Sequence, residues 1–134
     1  MRFSPKAGSF KLTLGERGEM AAWGYLLENG YKILEKNYRC KIGEIDVIAR
    51  KGKRLVFIEV KTRISERYGP PEESVHRMKQ KKIAQTAQWY RKEKGLMESP
   101  VSVEVIAIDW REGGEPVIRL IADAFSMEHL QADY

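Results

Sequence analysis

Cysteine, histidine and long apolar runs are scarce in this chain of 134 residues. The single cysteine, Cys40, excludes an internal disulfide and fits a reducing compartment, so the expected location is the cytoplasm. No base lies near Cys40 in sequence to make it a nucleophile. The two histidines, His76 and His129, leave too few ligands for a structural zinc site. No stretch approaches the roughly 20 apolar residues that a membrane helix needs. The opening MRFSPKAGSFK is charged without an apolar core, so it does not read as a secretory signal. Residues 1–12 are expected to form a flexible basic arm within reach of nucleic acid, and residues 13–134 a single domain.

Charge is plentiful but unevenly placed. The net charge is +5, yet residues 32–94 carry 18 Lys and Arg against 8 acids. The flanks are net acidic. A basic middle is what a polyanionic partner would need.

Inside that basic middle lies the segment GEIDVIARKGKRLVFIEVKTR, residues 43–63. It reads as two strands joined by a tight turn. A two-residue loop at Gly52-Lys53, with glycine first, suits a type II′ turn and pairs Lys51 with Arg54. Asp46 then lies opposite Glu59, and Glu44 opposite Lys61. A loop at Lys51-Gly52 instead sets Glu44 opposite Glu59. Either even loop projects Glu44, Asp46, Glu59 and Lys61 from one face, because side chains alternate along a strand. The second strand is otherwise apolar, which argues for burial. Buried charges without partners are very costly. Like charges on facing strands need something to neutralise them. Two carboxylates with room for water suit Mg²⁺ or Mn²⁺. Such an ion supports phosphodiester hydrolysis, and Lys61 could orient water or hold phosphate. The competing reading is a set of salt bridges on a solvated sheet face.

Two helices flank this pair. Residues 14–29 read as an amphipathic helix capped by Thr13 and ended at Gly30. Its apolar stripe is expected to hold Met20, Ala22, Trp23, Leu26 and Leu27, with Glu19 in the middle and Glu16 nearer the edge. Glu19 is a further candidate ligand; alternatively both acids favour the helix N-terminus. Residues 73–94 read as a second helix with a stripe of Val75, Ile83, Thr86, Ala87 and Tyr90. Lys79 sits inside this stripe, either snorkelling or reaching the acids to hold phosphate, with Gln80 beside it. Arg77, Lys81, Lys82, Arg91, Lys92 and Lys94 are expected to face solvent. The intervening loop 64–72, ISERYGPPE, leaves the charged strand directly. Arg63, Arg67 and Tyr68 could therefore contact a nucleic-acid backbone or base. Strands are also expected over 31–39, 101–110 and, after a turn at Gly113-Gly114, 117–123. The tail FSMEHLQADY is expected to end in a short helix. The result is an α/β fold of order α-β-β-β-α-β-β, with a mixed central sheet flanked by helices. The long connection before residue 101 allows a parallel crossover.

The ordered pattern GERGE, GYKILEKNYR, GEIDVIA, LVFIEVKTR, YGPPEESV, KQKKI and AQWY resembles the YraN family of bacterial proteins over residues 13–110. That family is similar in fold to archaeal Holliday-junction resolvases, within the PD-(D/E)XK nuclease superfamily. The resemblance implies a restriction-endonuclease-like fold. It also implies Asp46, Glu59 and the Val60 carbonyl as metal ligands, Lys61 as the catalytic lysine and Glu19 as the helix-borne acid. Ile45 stands where many members have proline, and Glu44 is a possible accessory. Related resolvases are dimers, so a homodimer is a further expectation. Because the superfamily includes binders without turnover, two readings stay open: a metal-dependent DNA nuclease, and a nucleic-acid-binding module. A protein-interaction domain with a basic face is a third.

Overall fold

A computed structural model describes residues 11–64, 77–111 and 115–122. Most of the N-terminal arm, Arg67, Tyr68, residues 73–76 with Val75 and His76, the Gly113-Gly114 turn and the C-terminal tail lie outside the described residues.

The first helix, α1 (Leu14–Glu28), starts where a capping box can form. The Thr13 hydroxyl accepts from the Glu16 amide at 3.0 Å, and the Glu16 carboxylate accepts from the Thr13 amide at 2.8 Å. It ends at Gly30, whose φ of 84° is open to glycine at little strain. Strands β1 (Lys32–Arg39), β2 (Glu44–Lys51) and β3 (Arg54–Arg63) follow as an antiparallel meander. Gly52, at φ 61°, takes the first turn position between β2 and β3. Lys51 pairs with Arg54, as the Gly52-Lys53 loop requires. The second helix, α2 (Arg77–Lys94), crosses to β4 (Val101–Asp109), which runs parallel to β3. β5 (Val117–Ile121) pairs antiparallel with β4 at the edge. The sheet order is β1-β2-β3-β4-β5.

The helices cover opposite faces. Val47, Ala49, Val56, Ile58, Ile106 and Ile108 pack with Ala22 and Leu26 of α1. Ile48, Leu55, Phe57 and Val103 pack with Ile83, Ala84, Ala87 and Tyr90 of α2. The Tyr90 ring makes edge contacts with Tyr38 and Phe57 at centroid distances of 5.1 and 6.0 Å. Central strands buried on both faces read as near-continuous apolar runs, which explains LVFIEV and VSVEVIAID.

Two expectations about the helices need correction. Met20 and Leu27 are exposed; the contact line of α1 is Gly18, Ala22 and Leu26. The cause is a close approach at Gly18, where a Cβ would fall 2.1 Å from the Thr62 hydroxyl. A helix seated this tightly presents one narrow line of residues four apart. In α2, Arg91 is not simply solvent-facing. Its guanidinium donates to the carbonyls of Leu96, Met97 and Ser99 and to Gln88, closing the helix C-terminus.

Candidate functional site

The β2–β3 ladder ends at Val47–Ile58. Continued by one step, it would set Asp46 opposite Glu59. Instead the strands part, and the Val60 amide donates to Asp46 Oδ2 at 2.7 Å. A side chain thus takes a backbone donor that the ladder has released. Strict alternation is lost here as well. Ile45 packs on the α2 side of the sheet, whereas Val47 packs on the α1 side.

Asp46 therefore sits at a fork in the sheet, and its neighbours come from three elements. Glu59 of β3 is 8% exposed, and its side chain is hydrogen-bonded to Asp46. Burial, that hydrogen bond and the Asp46 charge together push the Glu59 carboxyl up to about 8, against the pull of Lys79 and Lys61. Lys79, in the first turn of α2, places Nζ 3.3 Å from Glu59 Oε2. Lys61 and Lys79 lie close enough for each to act on the other's titration. Desolvation and the Lys79 ammonium hold Lys61 below its ordinary range. Lys79 is held above its own: desolvation lowers it, but the Glu59 charge, its contacts with Lys61 and Glu59, and the Asp46 charge together outweigh that. The result is a compact set of two carboxyls and two amines at the end of β3.

Glu19 approaches from α1. Its carboxyl is raised, first by burial and then by the charges of Asp46, Glu16 and Glu44. Among the described residues no group of three or more His, Cys, Asp or Glu is arranged to hold a metal ion. Glu19 lies within electrostatic reach of Asp46. Glu44 is placed differently from the sequence expectation. It is mostly exposed, pairs with Arg39 at 3.0 Å on the β1 side and does not face Lys61. The four charges do not project from one face, because the β2 alternation breaks beside Asp46. Gln80 is half-buried on α2. Arg63 ends β3, where its carbonyl accepts from the Trp110 amide at 2.7 Å.

The sequence reading did not single out Glu104 and Asp109, which are both buried. Glu104 accepts from the Tyr31 hydroxyl at 2.9 Å, and Asp109 pairs with Arg111 at 3.2 Å. Their signal was a charge inside the apolar run VSVEVIAID. Trp110 packs beside the α1-side cluster under the Arg17 guanidinium, 4.6 Å from its ring.

A three-layer α/β domain with a carboxyl pair and two lysines at a sheet fork is the class of protein defined by this geometry. The particular family follows from comparison. A family model described as "Uncharacterised protein family UPF0102" matches residues 18–108. The UPF0102 protein of Geotalea uraniireducens (strain Rf4) is 45% identical over 117 residues, covering 87% of this chain and 92% of its own length. That of Geobacter metallireducens is 44% identical over 118 residues, covering 87% and 95%. The chain belongs to the UPF0102 family, the family that the YraN resemblance indicated. Among solved structures, Pyrococcus furiosus SfsA in complex with Ca²⁺ aligns at a TM-score of 0.43 and 16% identity, over 79% of this chain and 63% of that one. An EndoMS–dsDNA complex aligns at 0.39 and 19%, over 84% and 43%. Both are partial likenesses of fold.

Proposed function

We propose that this chain is a metal-dependent nuclease that hydrolyses phosphodiester bonds in DNA, branched or single-stranded. The observation that carries the reading is the Asp46–Glu59 pair. A buried carboxyl that shares a hydrogen bond with a second carboxylate, two lysines beside it, is a costly arrangement that packing alone does not require. Such a pair fits Mg²⁺ or Mn²⁺, which takes one or two protein carboxylates and keeps water or phosphate oxygens for the rest. Asp46 and Glu59, with the Val60 carbonyl, are the residues that would hold the ion. When bound, it would supply positive charge to the phosphate and lower the pKa of a coordinated water.

The chain's own residues do the remaining work. Asp46, anchored by the Val60 amide, keeps its carboxylate oriented toward Glu59. Lys61 gives up its proton more readily than an ordinary lysine, so it can exchange a proton with the attacking water or the leaving oxygen. Lys79 and Gln80 stand on the helix side, where a phosphate backbone would pass, with Arg63 at the strand end. By sequence, Arg67 and Tyr68 would add contacts to the nucleic acid. The basic middle of the chain supplies long-range attraction. The setting for this chemistry is the cytoplasm, with a homodimer as the expected assembly.

A second reading is a binding module without turnover. It is favoured by the absence, among the described residues, of a third acid in the pair. Cleavage of single-stranded, duplex, flap and four-way DNA with Mg²⁺ or Mn²⁺ separates the two. A nuclease loses cutting in Asp46→Asn and Lys61→Ala while Asp46→Asn keeps or gains affinity. A binder cuts nothing and tolerates Asp46→Asn.

A further inference from the structure

The acid pair at the sheet fork already has two amines as neighbours before any divalent ion arrives. Asp46 and Glu59 can carry two negative charges, and Lys61 and Lys79 two positive ones. Of the lysines, Lys79 is the one that can leave. Lys61 is fixed in β3, two residues from Glu59 on the same strand. Lys79 stands on α2 with its side chain 43% exposed, and four methylenes carry its ammonium. Its amine lies 3.3 Å from Glu59 Oε2, in direct competition with any cation for that oxygen. Toward solvent, the same turn of α2 presents Lys81 and Lys82, and no acid occurs on α2 before Glu93. An ammonium displaced from Glu59 thus has a basic, anion-attracting surface to turn toward.

We propose that Lys79 is the resident counter-ion of the acid pair in the metal-free chain, and that it exchanges from Glu59 to a substrate phosphate when a divalent cation loads. This inference rests on the metal-dependent reading above and adds its regulation. The charge count gives the direction. With both acids ionised around it, a divalent cation beside two ammonium groups leaves the site with excess positive charge. Moving Lys79 outward relieves the repulsion, and a phosphodiester oxygen then neutralises Lys79. Metal and nucleic acid therefore load with positive coupling. By linkage, each must raise the affinity of the other by the same factor.

Mn²⁺ binding, followed by the paramagnetic resonance signal of the free ion, tests this without any readout of cleavage. The probes are Mn²⁺ alone and Mn²⁺ with a short single-stranded phosphorothioate oligonucleotide. Lys79→Met is expected to bind Mn²⁺ alone roughly five- to tenfold more tightly than wild type, the lower part of the usual coupling range. The oligonucleotide should tighten Mn²⁺ binding to wild type by a similar factor and leave Lys79→Met nearly unchanged. Lys79→Arg should restore coupling because it restores the charge, which a merely structural role for the side chain would not require. Lys82→Met should weaken oligonucleotide binding and leave the affinity for Mn²⁺ alone at the wild-type value. Wild type that binds Mn²⁺ no more weakly than Lys79→Met overturns the exchange and leaves the metal site standing. Binding of Mn²⁺ by neither wild type nor Lys79→Met, with Glu59→Gln equally inert, overturns the metal reading together with this inference.

Discussion

At the residue scale, Glu59 is the most informative group. Its ordinary value is 4.5, and the folded protein raises it to about 8. The folded chain therefore keeps a proton that the unfolded chain has released. This contribution to stability is fully present below about 4.5 and is lost as pH rises through about 8. Urea unfolding in chelator should show wild type losing stability relative to Glu59→Gln across this window, by on the order of 1–3 kcal/mol. A difference that stays constant with pH would contradict the shift. Glu59, Asp46 and Lys61 were legible in sequence because charges inside an apolar strand are conspicuous. Glu44 was misplaced for an equally physical reason. Periodicity assumes an unbroken strand, and the released Val60 amide that draws Asp46 aside is a tertiary event with no local signature. Lys79 was ambiguous in sequence for want of a partner, and the partner is Glu59.

At the scale of elements, α1 depends on its cap and on one close contact. Thr13→Ala removes the capping-box acceptor and should lower stability by about 1 kcal/mol, as read by thermal unfolding. Gly18→Ala is expected to be worse, by about 1–3 kcal/mol, because the new methyl meets Thr62 Oγ1 at 2.1 Å and its Cβ and Cγ2 at 3.1 Å. Adding Thr62→Ala should return part of that loss. If Gly18→Ala alone is neutral, α1 does not sit on β3 as described. The double variant should also restore the placement of Glu19, the residue next to this contact. The helix itself was readable from Thr13, Glu16 and Gly30. Its buried face was not, since a hydrophobic stripe counts Met20 and Leu27 as assets and cannot anticipate that a glycine decides the seat. The β2–β3 register was narrowed in sequence to two even loops around Gly52, and the pairing of Lys51 with Arg54 selects the Gly52-Lys53 loop.

For the whole molecule, the basic middle and the position of the fork within it make one electrostatic prediction. The logarithm of affinity for nucleic acid should fall with the logarithm of salt at a slope steeper than about −2, corresponding to three or more neutralised phosphates. Fluorescence anisotropy in chelator measures this, and a flat dependence would argue for a protein partner instead. The order of elements and the parallel crossover followed from strand periodicity and the length of the connection, while the covering of opposite faces by α1 and α2 became visible only with the sheet assembled. That crossover also has a kinetic consequence. Asp46 and Glu59 lie on a hairpin closed by a two-residue turn, whereas β4 is joined to it through the 37 residues between Arg63 and Val101, α2 among them. Short loops close far sooner than long ones, and non-local parallel pairing is slow. The acidic half of the site should therefore be born wet and repulsive, before Lys79 docks and the far strand shuts out water. Pulsed hydrogen exchange should show β2–β3 amides protected ahead of β4. Refolding should then quicken where the carboxyls are neutral: at low pH, or in Glu59→Gln.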